Sequence, residues 1–456
     1  MTTEIEDYVR SLGLGAYVVG GAVRDELLGG AAKDADFLVP GVDIEQLRAA
    51  LAPYGRAEAL VVAERPVGVR FYPRDAALRK RVPAGIELAP PRREVSTGPG
   101  RHDFEIVVDP DATVEEDLAR RDFTINAMAR RLDDGLLVDP YGGREDLARG
   151  VLRTVTPRSF AEDPLRIVRA LRFVSQLGFD PDEQTLAQMR DHAASVALVS
   201  GERIGGGLAA DGLGELSKLL LGAQPAKALR VACETGVLAA LIPEFEPALD
   251  FDPQSADHDM TVAEHTFVVV QEAADAGTPL RVRLATLLHD LGKPSGAPDH
   301  AAAGAEIAEA VLRRFRYPNE LRRQVVELVR VHPFALHESA PLDGRAARVL
   351  LARHGDRLTA DLLDHWAADV RGRDDTPSRA AKLERLATFR RVLDAERTSP
   401  HRLADLAIDG DDLIAVGFEP GPRLGDALDA LLADVVDEPS LNTRETLLER
   451  ARELRA

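Results

Sequence analysis

The feature that most constrains the fold of this chain is a change in hydrophobic pattern at Pro157. Before Pro157, short apolar runs rich in β-branched residues are separated by glycine and proline turns, whereas long amphipathic helical patterns follow it to the end. Strands gathered in one part of a chain and helices in the other are typical of the α+β class. We therefore predict a small α/β head, followed by an all-α neck and body and a helical C-terminal tail.

Composition excludes several classes of protein. The single cysteine, Cys233, is incompatible with an intramolecular disulfide framework and with a zinc site built from several cysteines. No apolar run reaches the roughly 18 residues that a membrane-spanning helix needs. The acidic N-terminus, Met1 to Asp7, lacks the apolar core of a signal peptide, so we expect a cytoplasmic protein.

Charge is unevenly distributed along the chain. The formal net charge of −19 argues against a general binder of polyanions, because phosphate contacts need clustered cations. Residues 65–101, however, contain nine Lys or Arg against three Asp or Glu, while residues 401–456 contain six against thirteen. The overall charge therefore conceals a basic segment within the head and an acidic tail. The sequence predicts that nucleic-acid affinity comes from a localised patch and weakens as salt rises.

A pair of carboxylates follows a glycine turn in the head. Asp34 and Asp36 stand two apart at the start of a strand pattern, so both side chains leave one face and favour a divalent ion between them. Gly20-Gly21 ends a strand pattern and opens a helix, a geometry that receives phosphate on backbone N–H groups, and Arg24 adds a side-chain donor. An isolated Asp-x-Asp is more often a turn cap beside a solvated strand residue. The glycine turn and the arginine together favour a phosphate site.

This constellation resembles the nucleotidyltransferase superfamily, and within it the bacterial-type (class II) tRNA CCA-adding enzymes and their poly(A) polymerase relatives. Four ordered signatures carry the resemblance: residues 18–25 with 33–37, residues 116–129, residues 139–153 and residues 162–173. They read VVGGAVRD with KDADF, EDLARRDFTINAMA, DPYGG with DL and LR, and EDPLR with two further arginines. Four ordered matches are hard to obtain by chance.

The resemblance implies metal-dependent phosphoryl transfer in the head, with a divalent ion neutralising developing charge. Three acids are implied as catalytic, of which the first two would also hold Mg²⁺: Asp34, Asp36 and Glu87. Four residues are implied as nucleotide contacts, two on the triphosphate and two on the nucleotide and its ribose: Gly21, Arg24, Arg121 and Asp122. The sequence after Glu87, Ala89-Pro90-Pro91-Arg92, departs from the Thr-rich sequence that is usual in the family.

By the same resemblance the fourth signature would read the base, through Asp163, Arg166, Arg169 and Arg172, which recur every three residues on one helix face. Asp163 can accept a hydrogen bond from the exocyclic amine of cytosine or adenine, and Arg166 can donate to the neighbouring ring acceptor. Neither pairing suits guanine or uracil. The alternative is a helix cap at Asp163 before Pro164 with a solvated arginine stripe, but the other three signatures favour templating.

Residues 92–102, RREVSTGPGRH, lie between the first two signatures. They resemble the flexible loop that relatives use when switching from C to A addition, although the loop differs in sequence and is slightly short. Relatives that add only CC tend to lack this loop. Its presence favours full CCA addition or A addition over CC addition.

Histidines and aspartates with metal-ligand chemistry recur in the helical body. His289-Asp290 ends an apolar helix pattern, and nitrogen with oxygen donors suits a divalent transition metal. The pattern resembles the HD phosphohydrolase domain that some CCA-adding enzymes carry. One metal (Mg, Mn, Ni, Fe or Co) would be held by His265, His289, Asp290 and Asp369, and a second could be completed by His300 and His332. Water on such a metal attacks phosphoesters; the alternative is a degenerate domain with satisfied core histidines.

Four regions are predicted from these patterns: a nucleotidyltransferase head (1–150), a helical neck for templating and RNA binding (151–255), an HD metal-binding domain (256–375) and a helical tail (376–456). We expect template-independent addition of C, C and A to the 3′ end of tRNA from CTP and ATP, with no membrane partner. An A-adding enzyme or poly(A) polymerase is the nearest alternative. An HD phosphohydrolase with an inactive head is a second, while a non-catalytic RNA scaffold is disfavoured because unneutralised carboxylates repel RNA.

Overall fold

The computed structural model describes residues 2–30, 35–62, 65–96, 104–206, 212–253, 259–333 and 341–455. The chain divides into two compact units: unit 1 contains residues 1–246 and 314–317, and unit 2 contains residues 247–313 and 318–456. The four regions predicted from the sequence remain a prediction, but the division near residue 246 falls inside the proline-rich break at 243–253.

The strands lie at the N-terminal end of the chain, as the hydrophobic pattern predicts. Within the described ranges they are β1 (Tyr17–Val19), β2 (Asp36–Leu38), β3 (Gly55–Val62), β4 (Arg65–Pro73), β5 (Ile86–Ala89), β6 (Arg92–Ser96), β7 (Phe104–Val108), β8 (Ala129–Arg131), β9 (Leu137–Val138), β10 (Val151–Leu152) and β11 (Asp180–Pro181).

Helices surround the strands in unit 1 and form unit 2 entirely within its described residues. Those up to the division are α1 (Thr2–Ser11), α2 (Gly21–Leu27), α3 (Ile44–Leu51), α4 (Ala76–Arg81), α5 (Val114–Ala119), α6 (Gly143–Arg149), α7 (Ser159–Glu162), α8 (Leu165–Leu177), α9 (Glu183–His192), α10 (Gly201–Ile204), α11 (Glu215–Leu220), α12 (Pro225–Glu234), α13 (Val237–Leu241) and α14 (Glu246–Leu249). The remainder are α15 (Val262–Asp275), α16 (Leu280–Leu288), α17 (His300–Arg314), α18 (Asn319–Val331), α19 (Gly344–Arg371), α20 (Pro377–Glu396), α21 (Gly410–Ala415), α22 (Pro422–Asp437) and α23 (Arg444–Arg455).

A seven-stranded mixed sheet is the core of the head, in the order β3-β4-β5-β2-β1-β8-β9. The pair β2–β5 is parallel, and its neighbours β4–β5 and β1–β2 are antiparallel. Alternation along β4 buries Val69, Phe71 and Pro73 while Arg70 and Tyr72 stay half-buried, so one face of this part of the sheet is apolar and the other polar. The polar face contains Asp36 and Glu87, two of the carboxylates predicted from the sequence.

Helix α8 is the long element of the neck. It begins after Pro164 and ends at Gly178, whose left-handed φ of 72° terminates the helix in the usual way for glycine. Apolar residues at helical spacing bury one side of α8 against α11 and α12. The opposite side carries the arginines of the fourth signature. The predicted α/β head followed by a helical body is therefore confirmed.

Unit 2 packs α15, α16, α18 and α19 around one another, and a separate apolar cluster holds its C-terminal helices together. That cluster is centred on the buried side chains Leu413, Leu431, Val435 and Leu447. No helix in the described part of the chain is long and apolar enough to cross a membrane. The cytoplasmic location expected from the sequence remains a prediction.

Arg348 joins three helices of unit 2. This buried side chain of α19 donates from Nε to the carbonyl of Val436 (2.7 Å) and from Nη2 to that of Asp437 (3.1 Å), the last carbonyls of α22. It also pairs with Glu396, at the end of α20, over 2.9 Å. Helix C-termini leave carbonyls without intrahelical partners, and Arg348 satisfies two of them.

We expect Arg348→Met to lower the free energy of unfolding by about 2 kcal/mol, because it leaves a partly buried carboxylate and two carbonyls without their cation. Urea unfolding followed by tryptophan fluorescence measures this, since the single tryptophan, Trp366, is buried in the same unit. Arg345→Met is the matched control, because Arg345 makes only an exposed pair with Asp437 and its loss should not be measurable. Equal destabilisation by both substitutions would contradict the assignment.

Candidate active site

Strand pairing brings two of the predicted catalytic acids together. Asp36, the first residue of β2, lies directly opposite Glu87 in the parallel β2–β5 ladder. Directly paired residues project to the same face of a sheet, so the two carboxylates are neighbours although fifty residues separate them along the chain. Asp34 lies outside the described residues, and so does the loop tip between β6 and β7, residues 97–103.

Glu87 is held by an arginine that the sequence did not single out. Arg70 lies opposite Glu87 in the β4–β5 ladder, and its Nη2 donates to Glu87 Oε1 over 2.6 Å. The hydrogen bond and the charge of Glu87 raise the pKa of Arg70. This pair fixes one carboxylate oxygen of Glu87 and leaves the other available on the polar face of the sheet.

The glycine turn between β1 and α2 is shaped around Arg121. Gly20 has φ 73° and ψ −129°, a conformation that residues with a Cβ rarely adopt. A Cβ at Gly20 would also lie 2.5 Å from Arg121 Nη1, so the turn admits the guanidinium only because no side chain is present. Gly21, a predicted triphosphate contact, and Arg121, a predicted contact of the nucleotide and its ribose, therefore line one cavity.

Arg24 is oriented by two neighbours on different elements. Its Nε and Nη2 donate to Asp25 Oδ1 (2.8 and 2.6 Å), and its Nη1 donates to Asn126 Oδ1 (2.7 Å). The guanidinium also lies 5.2 Å from the centre of the Phe173 ring, a cation–π distance. These contacts fix Arg24 beside the glycine turn.

Asp117 binds both arginines of the second signature, Arg120 and Arg121. It is fully buried, and its carboxylate accepts from Arg120 Nε (3.0 Å), Arg121 Nη2 (3.3 Å) and the backbone N–H of Arg92 (3.3 Å). Burial opposes ionisation, but the charges of Arg120 and Arg121 outweigh it and lower the pKa of Asp117. Sequence reasoning gave Asp117 no role, although its i+3 and i+4 spacing to the two arginines was a usable signal.

Asp122 is the centre of a buried ion pair with α8. Arg169 donates to Asp122 Oδ2 from Nε (2.8 Å) and Nη2 (2.5 Å), and Asn126 Nδ2 donates to Oδ1 (3.0 Å). Burial raises the pKa of Asp122, but Arg169 and the hydrogen bonds outweigh it and lower that pKa to about 2. Since Asn126 also accepts from Arg24, one continuous network runs from the glycine turn to the neck.

Glu215, the first residue of α11, neutralises the far end of the arginine series. Its carboxylate lies 3.2 Å from Arg172 Nε and 3.8 Å from Arg169 Nη1, and its side chain is buried. Burial and the charge of Arg169 lower the pKa of Arg172 to about 10, even with Glu215 beside it. No local sequence pattern indicated Glu215, because it lies more than forty residues beyond the arginines.

Asp163 and Arg166 line the same cavity but do not pair with each other. Asp163 instead accepts from Arg203 Nη2 (2.9 Å) and Nη1 (3.4 Å), a residue of α10 that sequence reasoning missed. Arg166 donates from Nη2 to the carbonyl of Arg120 (2.7 Å) and from Nη1 to Ser159 Oγ (3.1 Å). Neither of these two hydrogen bonds uses the Nε–H of Arg166 or the second N–H of its Nη2.

These residues surround one cavity of about 550 Å³. Its described lining includes four carboxylates, Asp36, Glu87, Asp122 and Asp163, and eight arginines, Arg24, Arg92, Arg120, Arg121, Arg166, Arg169, Arg172 and Arg203. Gly21 and Phe173 complete the wall beside the glycine turn. An excess of cations around a carboxylate pair suits a polyphosphate ligand, and a volume of this size suits a small molecule such as a nucleotide.

The predicted metal ligands of the body meet at a second site, within unit 2. His289 Nε2 lies 3.1 Å from Asp290 Oδ2 and 3.8 Å from Asp369 Oδ1, and His265 Nε2 lies 2.9 Å from that same Asp369 oxygen. His332 Nε2 lies 3.6 Å from the other oxygen of Asp290. Two sets of donor atoms close enough to share an ion overlap at Asp290: His265 with His289 and Asp290, and Asp290 with His300 and His332.

The tautomers of two of these histidines fit a cation. His289 Nδ1 lies 2.8 Å from the carbonyl of Thr286 and His332 Nδ1 lies 2.6 Å from that of Val329. A carbonyl only accepts, so Nδ1 carries the proton and a neutral ring turns its Nε2 lone pair towards a carboxylate. A lone pair facing a carboxylate is repulsive unless a cation lies between them.

Two cations and one further histidine complete this second site. Lys293 Nζ lies 2.5 Å from Asp290 Oδ2, and Arg373 Nη2 lies 2.7 Å from Asp369 Oδ2, beside a cavity of about 210 Å³. His365 is fully buried, with its ring centre 5.1 Å from that of His289, and neither of its ring nitrogens has a hydrogen-bond partner among the residues that the structure describes. Burial holds the pKa of His365 well below its usual value. Sequence reasoning assigned none of these three residues to the site.

Three family models match the chain in order. They are the poly(A) polymerase head domain over residues 16–153, the RNA and SrmB-binding site of polymerase A over residues 178–249, and tRNA nucleotidyltransferase domain 2 over residues 301–451. The third model extends through the C-terminal region, for which the sequence suggested helices but no chemistry.

Curated and structural relatives agree with these models. The chain is 36% identical to the multifunctional CCA protein of Xanthomonas campestris, over 93% of this chain and 99% of the relative. It is also 36% identical to the multifunctional CCA protein of Cupriavidus necator, over 80% and 87%. The crystal structure of the Bacillus stearothermophilus CCA-adding enzyme in complex with CTP matches with a TM-score of 0.66 and 26% identity, covering 97% of both chains.

The fold and the arginine-lined carboxylate site define a nucleotidyltransferase. The chain belongs to the bacterial-type CCA-adding enzyme family, as the four signatures in its sequence predict. Enzymes of this family use a divalent metal.

We expect Gly20→Ala to lower kcat/KM for the nucleotide about 100-fold, because the new methyl group displaces Arg121 and small displacements of positioning groups are costly. Gly29→Ala is the control: Gly29 also has a positive φ, 75°, but a Cβ there meets nothing within 4 Å. Both substitutions should cost about 1–2 kcal/mol of stability from backbone strain. Steady-state kinetics with thermal melting separates the two effects, and an equal kinetic loss in both variants would show that strain alone is responsible.

Proposed function

We propose that this protein adds C, C and A to the 3′ end of tRNA, using CTP and ATP and no nucleic-acid template. The observation that carries the proposal is the single cavity in which Asp36 and Glu87 face the arginines of the glycine turn and the base-reading residues of α8. The names and titles of the relatives, multifunctional CCA proteins and a CCA-adding enzyme bound to CTP, support the choice of product.

The phosphate end of the nucleotide would lie at the glycine turn. Arg24 and Arg121 are both fixed there by carboxylates or amides, so they are oriented to donate to a triphosphate before it arrives. Asp36, with Asp34 two residues before it, would hold Mg²⁺, because carboxylate oxygens are the ligands that this ion prefers. When bound, the ion supplies neutralisation of the charge that develops during phosphoryl transfer. Glu87 would lie beside the attacking 3′-hydroxyl.

The base end would lie at the start of α8. Asp163, held by Arg203, can accept from the exocyclic amine of cytosine or adenine, while Arg166 retains N–H groups that can donate to the adjacent ring acceptor. Guanine and uracil place a carbonyl opposite Asp163, where two acceptors repel. Asp122, whose partners Arg169 and Asn126 occupy both of its oxygens, would act mainly by positioning these groups.

Nucleotide omission on tRNAs ending at each intermediate tests this function. We expect CTP alone to extend a tRNA lacking CCA by two residues, ATP alone to extend only the tRNA ending in CC, and both together to complete CCA. Incorporation of ATP without any use of CTP would favour the A-adding or poly(A) alternative and overturn the proposal. Asp36→Asn should abolish addition while leaving the folded state intact.

A second activity, metal-dependent phosphoester hydrolysis, is favoured by the histidine–aspartate cluster of unit 2. We propose that His265, His289, Asp290 and Asp369 hold one divalent transition metal and that Asp290, His300 and His332 complete a second position. The mixed nitrogen and oxygen donors fit such an ion, and a bound ion supplies an activated water. Lys293 and Arg373 lie at the cavity rim, where they can bind the phosphate of a phosphoester such as a 2′,3′-cyclic phosphate.

We expect His289→Ala to lose the bound metal, measured by elemental analysis after dialysis, and to lose hydrolysis while keeping nucleotide addition. His354→Ala is the control, since His354 lies in the same unit but outside the cluster. Asp36→Asn should show the reverse pattern, with metal in unit 2 and hydrolysis retained. Retention of unit 2 metal by His289→Ala would contradict the ligand assignment.

A further inference from the structure

A second cavity of unit 1 shares no lining residue with the active-site cavity. It has a volume of about 540 Å³ and is lined by Gly55, Arg56, Tyr72, Pro73, Arg74 and Arg79, a set that we call the basic groove. Three of these six residues are arginines, and no carboxylate belongs to the described lining. The nucleotide site described above does not use any of them.

Strand register places the basic groove on the catalytic face of the sheet. Asp36 pairs with Glu87, and Glu87 pairs in turn with Arg70 on β4. Tyr72 lies two residues beyond Arg70 on the same strand, so it projects to the same face. Arg56 on β3 lies directly opposite Tyr72 and shares that face too. Tyr72 and Arg56 therefore lie on the same face as Asp36 and Glu87, in the row next to the one that runs from Asp36 through Glu87 and Arg70 to Glu58.

The aromatic ring of Tyr72 has the guanidinium of Arg56 over one face. The Arg56 guanidinium lies 4.5 Å from the centre of the Tyr72 ring, and its charge is only partly offset by Glu58, 2.9 Å away. Gly85, with φ 84°, makes this arrangement possible, since a Cβ there would lie 2.7 Å from Arg70 Cγ and 3.2 Å from Tyr72 Cε1. The chain thus keeps Arg70 and Tyr72 side by side over the end of β5.

Two exposed arginines extend the positive charge beyond the ring. Arg74 follows β4 and Arg79 lies on α4, and neither makes an ion pair with any residue in the part of the chain that the structure describes. Asp75 lies between them, but its Oδ1 accepts from the backbone N–H groups of Ala77 and Leu78 at the start of α4. The net charge of the groove is positive in a chain whose overall charge is −19.

We propose that the basic groove binds the single-stranded RNA next to the 3′ end that is being extended, with phosphates on Arg56, Arg74 and Arg79 and a base stacked on Tyr72. A cationic track with an aromatic face is the usual surface for a single strand, because phosphates pair with the cations and any base has a face to stack. The position one strand away from Glu87 suits the primer rather than the incoming nucleotide, which has its own cavity. This inference rests on the proposed function, because it takes RNA as the substrate.

Steady-state kinetics of the full-length triple variant Arg56→Gln, Arg74→Gln, Arg79→Gln tests the groove. We expect KM for a tRNA lacking its terminal A to rise at least tenfold, while KM for ATP and kcat at saturating tRNA change less than twofold. The slope of log affinity for tRNA against log salt should become shallower by about 2, since each phosphate contact on a single strand contributes about 0.7. The control variant removes three other exposed arginines, Arg353, Arg357 and Arg423, and should match the wild type.

Tyr72 gives an independent measurement that a general loss of charge does not affect. Tyr72→Ala should raise KM for tRNA about tenfold, and Tyr72→Phe should restore it, because the aromatic face is kept. Unchanged tRNA KM and salt slope in the triple variant, or an equal loss in the control variant, would overturn the proposal. Filter binding of tRNA to wild type and variant measures the groove without catalysis, so it separates failure of this inference from failure of the proposed addition reaction.

Discussion

The buried ion pair between Asp122 and Arg169 is the interaction on which the site depends. It joins the second signature of the head to helix α8 of the neck, and Asn126 extends it to Arg24 at the glycine turn. A buried carboxylate is tolerated only when it is paired and hydrogen-bonded, and Asp122 has partners on both oxygens. The phosphate end and the base end of the cavity are therefore held in one fixed relation.

Pairing of buried charges also explains why a cavity lined by eight arginines is stable. Asp117 holds Arg120 and Arg121, Glu215 neutralises Arg172, and similar pairs orient the remaining guanidinium groups. Each buried acid offsets the repulsion among neighbouring cations and fixes their direction, so the arginines are preorganised for a polyphosphate rather than collapsed onto one another.

Much of the fold and part of the site could be predicted from the sequence. The change of hydrophobic pattern at Pro157 predicted the α/β head and the helical body, and the glycine turn with Arg24 and the pair Asp34 and Asp36 pointed to a phosphate site. The pairing of Glu87 with Asp36 could not be predicted, because strand order in a sheet depends on long-range contacts. Arg70, Arg203 and Glu215 were missed for the same reason: an ion pair between distant residues leaves no local pattern.

The sequence by itself determined which chemical groups are present and where helices and strands begin, since both follow from residue type and local periodicity. It also determined the tight turn at Gly20, whose backbone conformation residues with a Cβ rarely adopt. Only the tertiary structure decided which acid meets which arginine, which histidine nitrogen faces a carboxylate, and that Tyr72 and Arg56 share the sheet face of the catalytic carboxylates. The reason is physical: desolvation gives these charges their strength, and desolvation exists only after distant segments have packed together.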